Sequence, residues 1–407
     1  IANFVDEAQK ETETLSIKIM TRKSRDGWLN FEEGLENAPE FEPPKGEDRP
    51  EAEDIMFMYF SSGTTGMPKM VAHNHYYSLA HYITAAYWHN VDPKGLHFTV
   101  AETGWAKTVW GKLYGQWLAE APVFVYDFDR FNADELLKRM GKYKVTTFCA
   151  PPTIYRFLIK EDLSKYDLSS LKYCTTAGEA LNPEVFNRFL EITGIKLMEG
   201  FGQTETTLSL ITTKWMEPKP GSMGKPSPAY NIDLVDEEGN SVEPGQVGEI
   251  VIRLGDEKPV GLMIGYHRDE ERTKQVIQNG IYHTGDTAWK DEDGYFWYVG
   301  RTDDIIKSSG YRIGPFEVES VIMEHPSVLE CAVTGVPDPV RGNVVKATIV
   351  LAKGYKPSEE LKTEIQNYVK THTAPYKYPR VIEFVEELPK TISGKIRRTE
   401  IRARDNK

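Results

Sequence analysis

Cysteine is scarce in this chain of 407 residues: only Cys149, Cys174 and Cys331 occur. No two of them form a C-x-x-C, so neither a disulfide framework nor a zinc cluster is written into the sequence, and a reducing cytoplasm is the expected setting. No apolar run reaches the ~20 residues that span a bilayer. The N-terminus lacks the basic-then-apolar layout of a signal peptide. Positive charge is in deficit, with 49 Lys and Arg against 61 Asp and Glu and a formal net charge of −12. Such a field repels polyanions and excludes a general nucleic-acid binder, but not a nucleotide held in a local site. Internal repeats and low-complexity tracts are also missing. The first residue is Ile1 rather than methionine, so processing or truncation upstream is expected.

What is present is ordinary for a globular protein: 40% hydrophobic and 27% charged residues. The length exceeds one compact core, so two or three domains are expected. Residues 36–54 are rich in Pro, Glu and Asp and read as an exposed linker. The apolar run 55–60 reads as a strand leading into a glycine-rich loop. Strand-like runs at 121–126 and 145–149 then alternate with helical patterns at 133–143, 152–160 and 183–193. Asn132 is a plausible helix cap, and 196–199 leads into a further turn. That alternation argues for an α/β layer with largely parallel strands. From about 216 to 302, strands such as 231–235 and 248–254 are separated by Asp-Glu-Glu-Gly and Glu-Pro-Gly turns, a mainly β region. After Arg301 a smaller α+β unit follows, with helices at 318–325 and 358–369 and strands at 328–336, 344–351 and 381–385.

The segment Ser61-Ser62-Gly63-Thr64-Thr65-Gly66-Met67-Pro68-Lys69 carries the first chemistry. Gly63 and Gly66 allow a tight turn and close approach to an anion. Hydroxyls and backbone N–H groups suit phosphate oxygens, Lys69 adds charge and Pro68 stiffens the exit. It is not a Walker A loop, whose glycines stand further apart and whose lysine follows glycine. A Ser/Gly/Thr run alone is equally often a polar surface turn. The full run resembles the signature loop of the adenylate-forming superfamily, which includes acyl-CoA synthetases, luciferases and amino-acid adenylation domains.

Further stations follow in that family's order. Glu199-Gly200-Phe201-Gly202-Gln203-Thr204-Glu205 resembles its nucleotide motif; Thr204 would contact the α-phosphate and Glu205 would hold Mg²⁺. Ala177-Gly178-Glu179-Ala180 resembles the strand end that stacks on adenine. Tyr282-His283-Thr284-Gly285-Asp286 resembles the ribose motif. Gly300-Arg301-Thr302-Asp303-Asp304 resembles the hinge; Arg301 would contact ribose and Asp303 would change its backbone torsions as the small domain swings. The C-terminal run 389–398 resembles the loop whose lysine, here Lys395, neutralises charge at the α-phosphate. Taken singly, these are a helix cap, a turn, a salt-bridged surface and a basic tail; their order gives them weight.

The run 309–319 is similar to medium-chain acyl-CoA synthetases, as are 337–342 and 374–380. The resemblance places Ser309, Gly310, Tyr311, Arg312, Arg341, Tyr378 and Arg380 near CoA, whose phosphates suit arginine. Acetate specialists carry a tryptophan where this chain has Gly202. Glycine there, with Trp105 and Ala177, implies a deeper acyl pocket, each extra methylene contributing about 0.8 kcal/mol. His73 and His75 form an H-x-H pair without an evident third ligand and read as non-metal residues.

The resemblance therefore implies α/β plus α+β architecture. A large AMP- and acyl-binding domain would occupy 1–302, with α/β layers and a β-rich subdomain, and a small mobile domain would occupy 303–407. It implies activation of a short-chain, medium-chain or branched carboxylic acid to acyl-CoA through acyl-AMP, using ATP, Mg²⁺ and CoA. An aryl-CoA ligase, another acid-adenylating ligase and an inactive nucleotide binder are the alternatives; a phosphate-loop NTPase would need the missing Walker A. Full members carry a substantial segment before the phosphate loop, whereas 60 residues precede Ser61 here, so a partial large domain is expected. The oligomeric state is left open, a homodimer included.

Overall fold

The computed structural model describes residues 1–61, 68–101, 104–128, 130–390 and 396–405, the side chains at 47 and 110 aside. Contacts divide it into two compact units, Ile1–Glu51 and Ala52–Lys407. The division falls inside the segment read as a linker.

The first unit is small. Helix α1 (Ala2–Lys10) is followed by the short parallel pair β1 (Ile19–Met20) and β2 (Leu29–Asn30), then by α2 (Phe31–Glu36). The Asn30 side chain caps α2 by accepting from the Glu33 N–H. Asp6 ties the unit together, accepting from Lys18 Nζ at 2.7 Å and from Trp28 Nε1 at 2.9 Å.

The second unit opens with β3 (Ile55–Ser61) and β4 (Lys69–Asn74), antiparallel and paired so that Ser61 faces Lys69. The phosphate loop therefore joins two adjacent strands, unlike the strand-to-helix passage of a Walker loop. Helix α3 (Tyr76–Ile83) runs into a π-helical turn, Thr84–Trp88. Then come β5 (His97–Thr99), the short α4 (Ala106–Thr108), a second π-helical turn Val109–Leu113, and α5 (Tyr114–Leu118). Wide turns of this kind are rare and concentrate near functional sites. The strand expected at 121–126 is reduced to one bridge, between Val123 and His97. Besides that bridge, the Phe124 N–H bonds the His97 carbonyl at 2.7 Å, but no regular ladder forms.

The α/β layer follows: α6 (Ala133–Lys142), β6 (Thr147–Ala150), α7 (Pro152–Leu158), β7 (Tyr173–Ala177), α8 (Pro183–Thr193) and β8 (Leu197–Gly202). Asn132 caps α6 through the Glu135 N–H, and Asn182 caps α8 through the Glu184 N–H, with Pro183 in the first turn. Strands β5 to β8 are mutually parallel. Their apolar faces and the three helices share one core that includes Phe98, Leu136, Phe148, Tyr155 and Phe189.

Antiparallel strands extend this layer: β9 (Leu208–Ile211), β10 (Ser222–Pro226), β11 (Ile232–Val235) and β12 (Val247–Arg253). After them come β13 (Gly265–Tyr266), α9 (Glu270–Val276), β14 (Ile277–Gln278), β15 (Ile281–Lys290) and β16 (Phe296–Arg301). Among the described residues the large sheet runs β11-β12-β15-β16-β10-β9-β8-β7-β6-β5, with β14 beside β15. A separate sheet runs β13-β4-β3.

The C-terminal part has its own core. It comprises β17 (Ile306–Ser308), β18 (Tyr311–Ile313), α10 (Pro315–Met323), β19 (Val328–Asp338), β20 (Gly342–Leu351), α11 (Glu359–His372), β21 (Val381–Val385) and α12 (Arg398–Asp405). Its sheet runs β18-β17-β20-β19, with β21 parallel to β20. The start of α10 docks closely on β16: a Cβ at Gly314 would stand 2.4 Å from the Val299 carbonyl oxygen. The mixed α/β architecture, with a large N-terminal and a small C-terminal part, is the one the sequence implied.

Candidate active site

Strand β8 ends in the turn that carries Gln203, Thr204 and Glu205, and β15 brings Asp286 beside it. Asp286 pairs across the ladder with Arg301 of β16. The Gln203 amide Nε2 donates to Asp286 Oδ2 at 2.5 Å and to the Thr284 carbonyl at 2.7 Å. Tyr282 donates to Gln203 Oε1 at 2.7 Å, and Tyr298 donates to Asp286 Oδ1 at 3.1 Å. Asp286 is 5% exposed. Arg301 stands 3.7 Å from its carboxylate and 3.5 Å from that of Asp303. Gly285 has φ +70°, and a Cβ there would meet the Arg301 guanidinium at 3.0 Å, so this turn requires glycine. The motifs read separately as nucleotide, ribose and hinge thus meet in one hydrogen-bonded network.

Glu205 belongs to the same corner. Its buried carboxylate accepts from the Tyr266 hydroxyl at 2.8 Å and lies 4.0 Å from Lys69 Nζ. Lys69 also donates to that hydroxyl at 3.3 Å. Burial pulls the Lys69 ammonium below its ordinary pKa, against the upward pull of Glu205. Thr204 is held by its carbonyl, which accepts from His73 Nε2 at 2.8 Å. Burial pushes the His73 imidazole down to about 4, so it is neutral at pH 7.

Other candidates lie beside this network or apart from it. Glu199 is buried on β8 and turns towards the start of α8, where Oε1 accepts the Leu181 N–H at 3.0 Å. Burial raises its carboxyl to about 8, so it is protonated at neutral pH. Gly178 has φ +102° at the end of β7, and the adjacent Glu179 accepts from Thr153 at 2.7 Å and pairs with Arg156 at 3.8 Å. Phe201 sits against Tyr298, ring centroids 6.2 Å apart. Gly200 lies under the buried Trp88, whose ring a Cβ would meet at 3.0 Å.

The pocket argument from Gly202 needs correction. A Cβ there would stand 2.6 Å from the Thr207 carbonyl oxygen and 3.0 Å from the Leu208 Cα. The room beside Gly202 is filled by backbone at the start of β9, so this glycine is required by the approach of two strands. Trp105 is half-buried at the start of α4. Two residues on, Lys107 reaches the Ala177 carbonyl at 3.2 Å and brings that segment to the end of β7. Ala177 itself packs with Trp88, Met198 and Leu208.

The residues assigned to CoA gather on the C-terminal part. Ser309, Gly310 and Tyr311 turn between β17 and β18, Ser309 with φ 49° and Gly310 with φ 84°. The Ser309 N–H bonds the Arg341 carbonyl at 3.0 Å, and the Arg341 guanidinium donates to the Ser309 hydroxyl at 3.2 Å. Tyr311 stacks on Tyr376, centroids 4.1 Å apart. Arg380 donates to the Tyr378 hydroxyl at 2.7 Å, and Arg312 pairs with Glu237 at 2.6 Å.

Ser61 closes β3 beside the site, whereas Ser62, Gly63, Thr64, Thr65, Gly66 and Lys395 lie outside the described residues. Tyr266, Tyr298 and Trp88 escaped the sequence reading, because a lone aromatic in a strand or helical turn gives no signal beyond core packing. A cleft of about 330 Å³ between β20, β21 and α12 lies away from the network, and its Lys346 is taken up by Glu383 and Asp405.

An open sheet ending in a buried carboxylate network, with a small α+β domain docked beside it, defines a two-part nucleotide-using enzyme. The AMP-binding enzyme family model matches residues 2–267, and the model of the AMP-binding enzyme C-terminal domain matches 317–395. The chain is 45% identical to acyl-coenzyme A synthetase ACSM3, mitochondrial, of Rattus norvegicus, over 100% of this chain and 70% of that protein. It is 44% identical to acyl-coenzyme A synthetase ACSM5, mitochondrial, of Homo sapiens over the same shares. Among solved structures it is similar to the anthranilate CoA ligase AuaEII in complex with anthranoyl-AMP, with TM-score 0.90 and 32% identity, covering 100% of this chain and 76% of that one. The chain belongs to the AMP-binding enzyme family, among its AMP-forming acyl-CoA synthetases.

Proposed function

We propose that the enzyme activates a short-chain, medium-chain or branched carboxylic acid with ATP and passes the acyl group to CoA. The observation that carries this reading is the Asp286 network, a buried, pre-oriented acceptor for the ribose hydroxyls, with Thr204 and Glu205 on the adjoining turn. In the first step a substrate carboxylate oxygen attacks the ATP α-phosphorus. The bond to the β-phosphate bridging oxygen breaks, and pyrophosphate leaves with that electron pair. Lys395, Lys69 and Thr204 would offset the charge that develops there. In the second step the CoA sulfur, having lost its proton, attacks the acyl carbonyl, and AMP departs with the oxygen.

Glu205 would supply a buried hard oxygen to a magnesium ion carried by the nucleotide phosphates, with Lys69, 4.0 Å away, as a further partner for those phosphates. When bound, the ion would screen phosphate charge. Rotation about Asp303, between domains 1–302 and 303–407, would exchange Lys395 for the face of Ser309, Gly310, Tyr311, Arg312, Arg341, Tyr378 and Arg380. Trp105 and Ala177 would line the acyl pocket.

The likeness to an anthranilate ligase supports a second reading, an aryl acid as substrate. The test is acid-dependent pyrophosphate release across a panel of aliphatic and aryl acids, with the thioester detected by mass. Lys395→Ala should lower acid-dependent ATP–pyrophosphate exchange by about 100-fold or more; retained exchange would remove Lys395 from the first step. The cytoplasm remains the compartment we propose, and cell fractionation checks it against the mitochondrion named for the relatives.

A further inference from the structure

Arg398 opens α12, three residues after Lys395, and sits in a cluster of charges. Its Nη2 donates to both oxygens of Glu319 at 2.7 Å, and its Nε donates to Oε1 at 3.1 Å. Its Nη1 lies 3.9 Å from Asp304, the residue that follows Asp303. Arg402, one turn further along α12, bonds the same Asp304. Glu319 Oε1 also accepts the Val333 N–H at 2.8 Å. The Glu319 and Asp304 side chains are only 6% and 12% exposed, so these pairs are largely desolvated and breaking one leaves a buried charge.

The other root of the same loop is pinned as well. Lys390 donates to both oxygens of Glu330 at 2.7 and 2.8 Å. Lys390 and Ile396 form a bridge, and the Arg397 N–H bonds the Pro389 carbonyl at 2.8 Å. Residues 390 and 396, which flank the segment 391–395, are thus paired with each other.

Docking of α12 does not rest on Arg398 alone. Leu388, Ile401 and Ala332 already form an apolar cluster between the helix and β19. What a planar guanidinium adds is direction, because a two-oxygen grip fixes an angle as well as a distance. Its two counter-ions lie on α10 and directly after the hinge residue, so the root of the loop is fixed to the segment about which the small domain turns.

We propose that Arg398 is a positioning residue for Lys395: held by Glu319 and Asp304, it orients the C-terminal root of the lysine loop relative to the hinge. This rests on the reading of Lys395 as the residue that serves the first step.

The test uses the full chain with Arg398→Met, Arg398→Lys and Lys395→Ala. ATP–pyrophosphate exchange reads the first step; thioester formation from supplied acyl-adenylate and CoA reads the second. Arg398→Met should lower kcat for exchange by about 100-fold, the scale of a misplacement near 1 Å, with KM for ATP unchanged. The second step should stay within about threefold, and Arg398→Lys should recover only part of the loss. Added to Lys395→Ala, Arg398→Met should change residual exchange by less than about twofold, since no lysine remains to be placed. Equal loss of both steps, full retention of exchange, or a further large loss in the Lys395→Ala background each overturn the proposal. If Arg398→Met fails to fold, Asp304→Asn is read by the same criteria. Exchange retained in Lys395→Ala overturns the underlying reading and this proposal together; exchange lost there but kept in Arg398→Met overturns this proposal alone.

Discussion

The corner proposed for the nucleotide and the face proposed for CoA are built on different plans. At the corner, Asp286 and Glu205 are buried, and each is fixed by the hydroxyl of a tyrosine that is itself largely enclosed. On the CoA face, Tyr311 and Tyr376 stack at 50% and 40% exposure, and Arg341 and Arg380 make their bonds at the surface. A buried network holds its geometry before the ligand arrives, as stabilisation of developing charge requires. A solvated surface of paired rings and guanidiniums spreads its contribution over many weak contacts, because exposed pairs contribute about 0–1 kcal/mol each. That suits a ligand that must arrive and leave in every cycle.

This contrast sets an order of effects. Within this comparison Asp286→Asn is expected to act most strongly, raising KM for ATP by about 10- to 100-fold, since hydrogen bonds to a charged group contribute about 1.5–3 kcal/mol. Exchange measured against ATP concentration checks this; an unchanged KM would take Asp286 out of the nucleotide site. Gly202→Ala should cost about 1–3 kcal/mol of stability through collision with the Thr207 carbonyl. Calorimetry reads it, and an unchanged melting temperature would mean that β9 yields and the pocket argument reopens.

Glu199→Gln probes the buried side of the comparison in a graded way. In the fold the Glu199 carboxyl is raised from 4.5 to about 8, so the native state holds its proton more tightly than the unfolded chain. Stability from this group is complete below the unfolded pKa and is lost as pH rises through about 8. The variant should therefore gain on the parent steadily between those values; a melting-temperature difference flat from pH 5 to 9, on the order of the window given by linkage, would exclude a protonated Glu199. The smallest effect is expected from Tyr376→Ala. Losing one aromatic pair, about 0.5–1.5 kcal/mol, should raise KM for CoA only about two- to tenfold and leave exchange untouched. A larger change would show the CoA face to be as pre-organised as the nucleotide corner.

Much of the layer was legible. Helix α8 appeared at its expected limits because Asn182, Pro183 and Gly194 mark both ends. Ser358 likewise marks the start of α11, and the apolar run of β21 needs no partner to be recognised. The failures share a cause. The run 121–126 has a strand's composition, but among the described residues only His97 offers it a ladder partner, and a strand is a property of two segments. The π-helical turns at Thr84–Trp88 and Val109–Leu113 leave no mark in a 3.6-residue pattern. Gly202 was read as empty space, because a sequence cannot show which atoms stand beside a missing side chain.

By itself the sequence determined the chemistry in outline. The order of Lys69, Thr204, Glu205, Asp286, Arg301 and Lys395 is a linear property, and so are turn glycines and helix caps, which act within a few residues. Only the tertiary structure decided which of these groups meet. It joined Gln203 to Asp286 across 83 positions and Lys69 to Tyr266 across 197. It turned Glu199 away towards α8 and tied Arg398 to the residue beside the proposed hinge. The physical reason is range: local preferences are set by neighbours in the chain, whereas burial, charge pairing and pKa are set by neighbours in space.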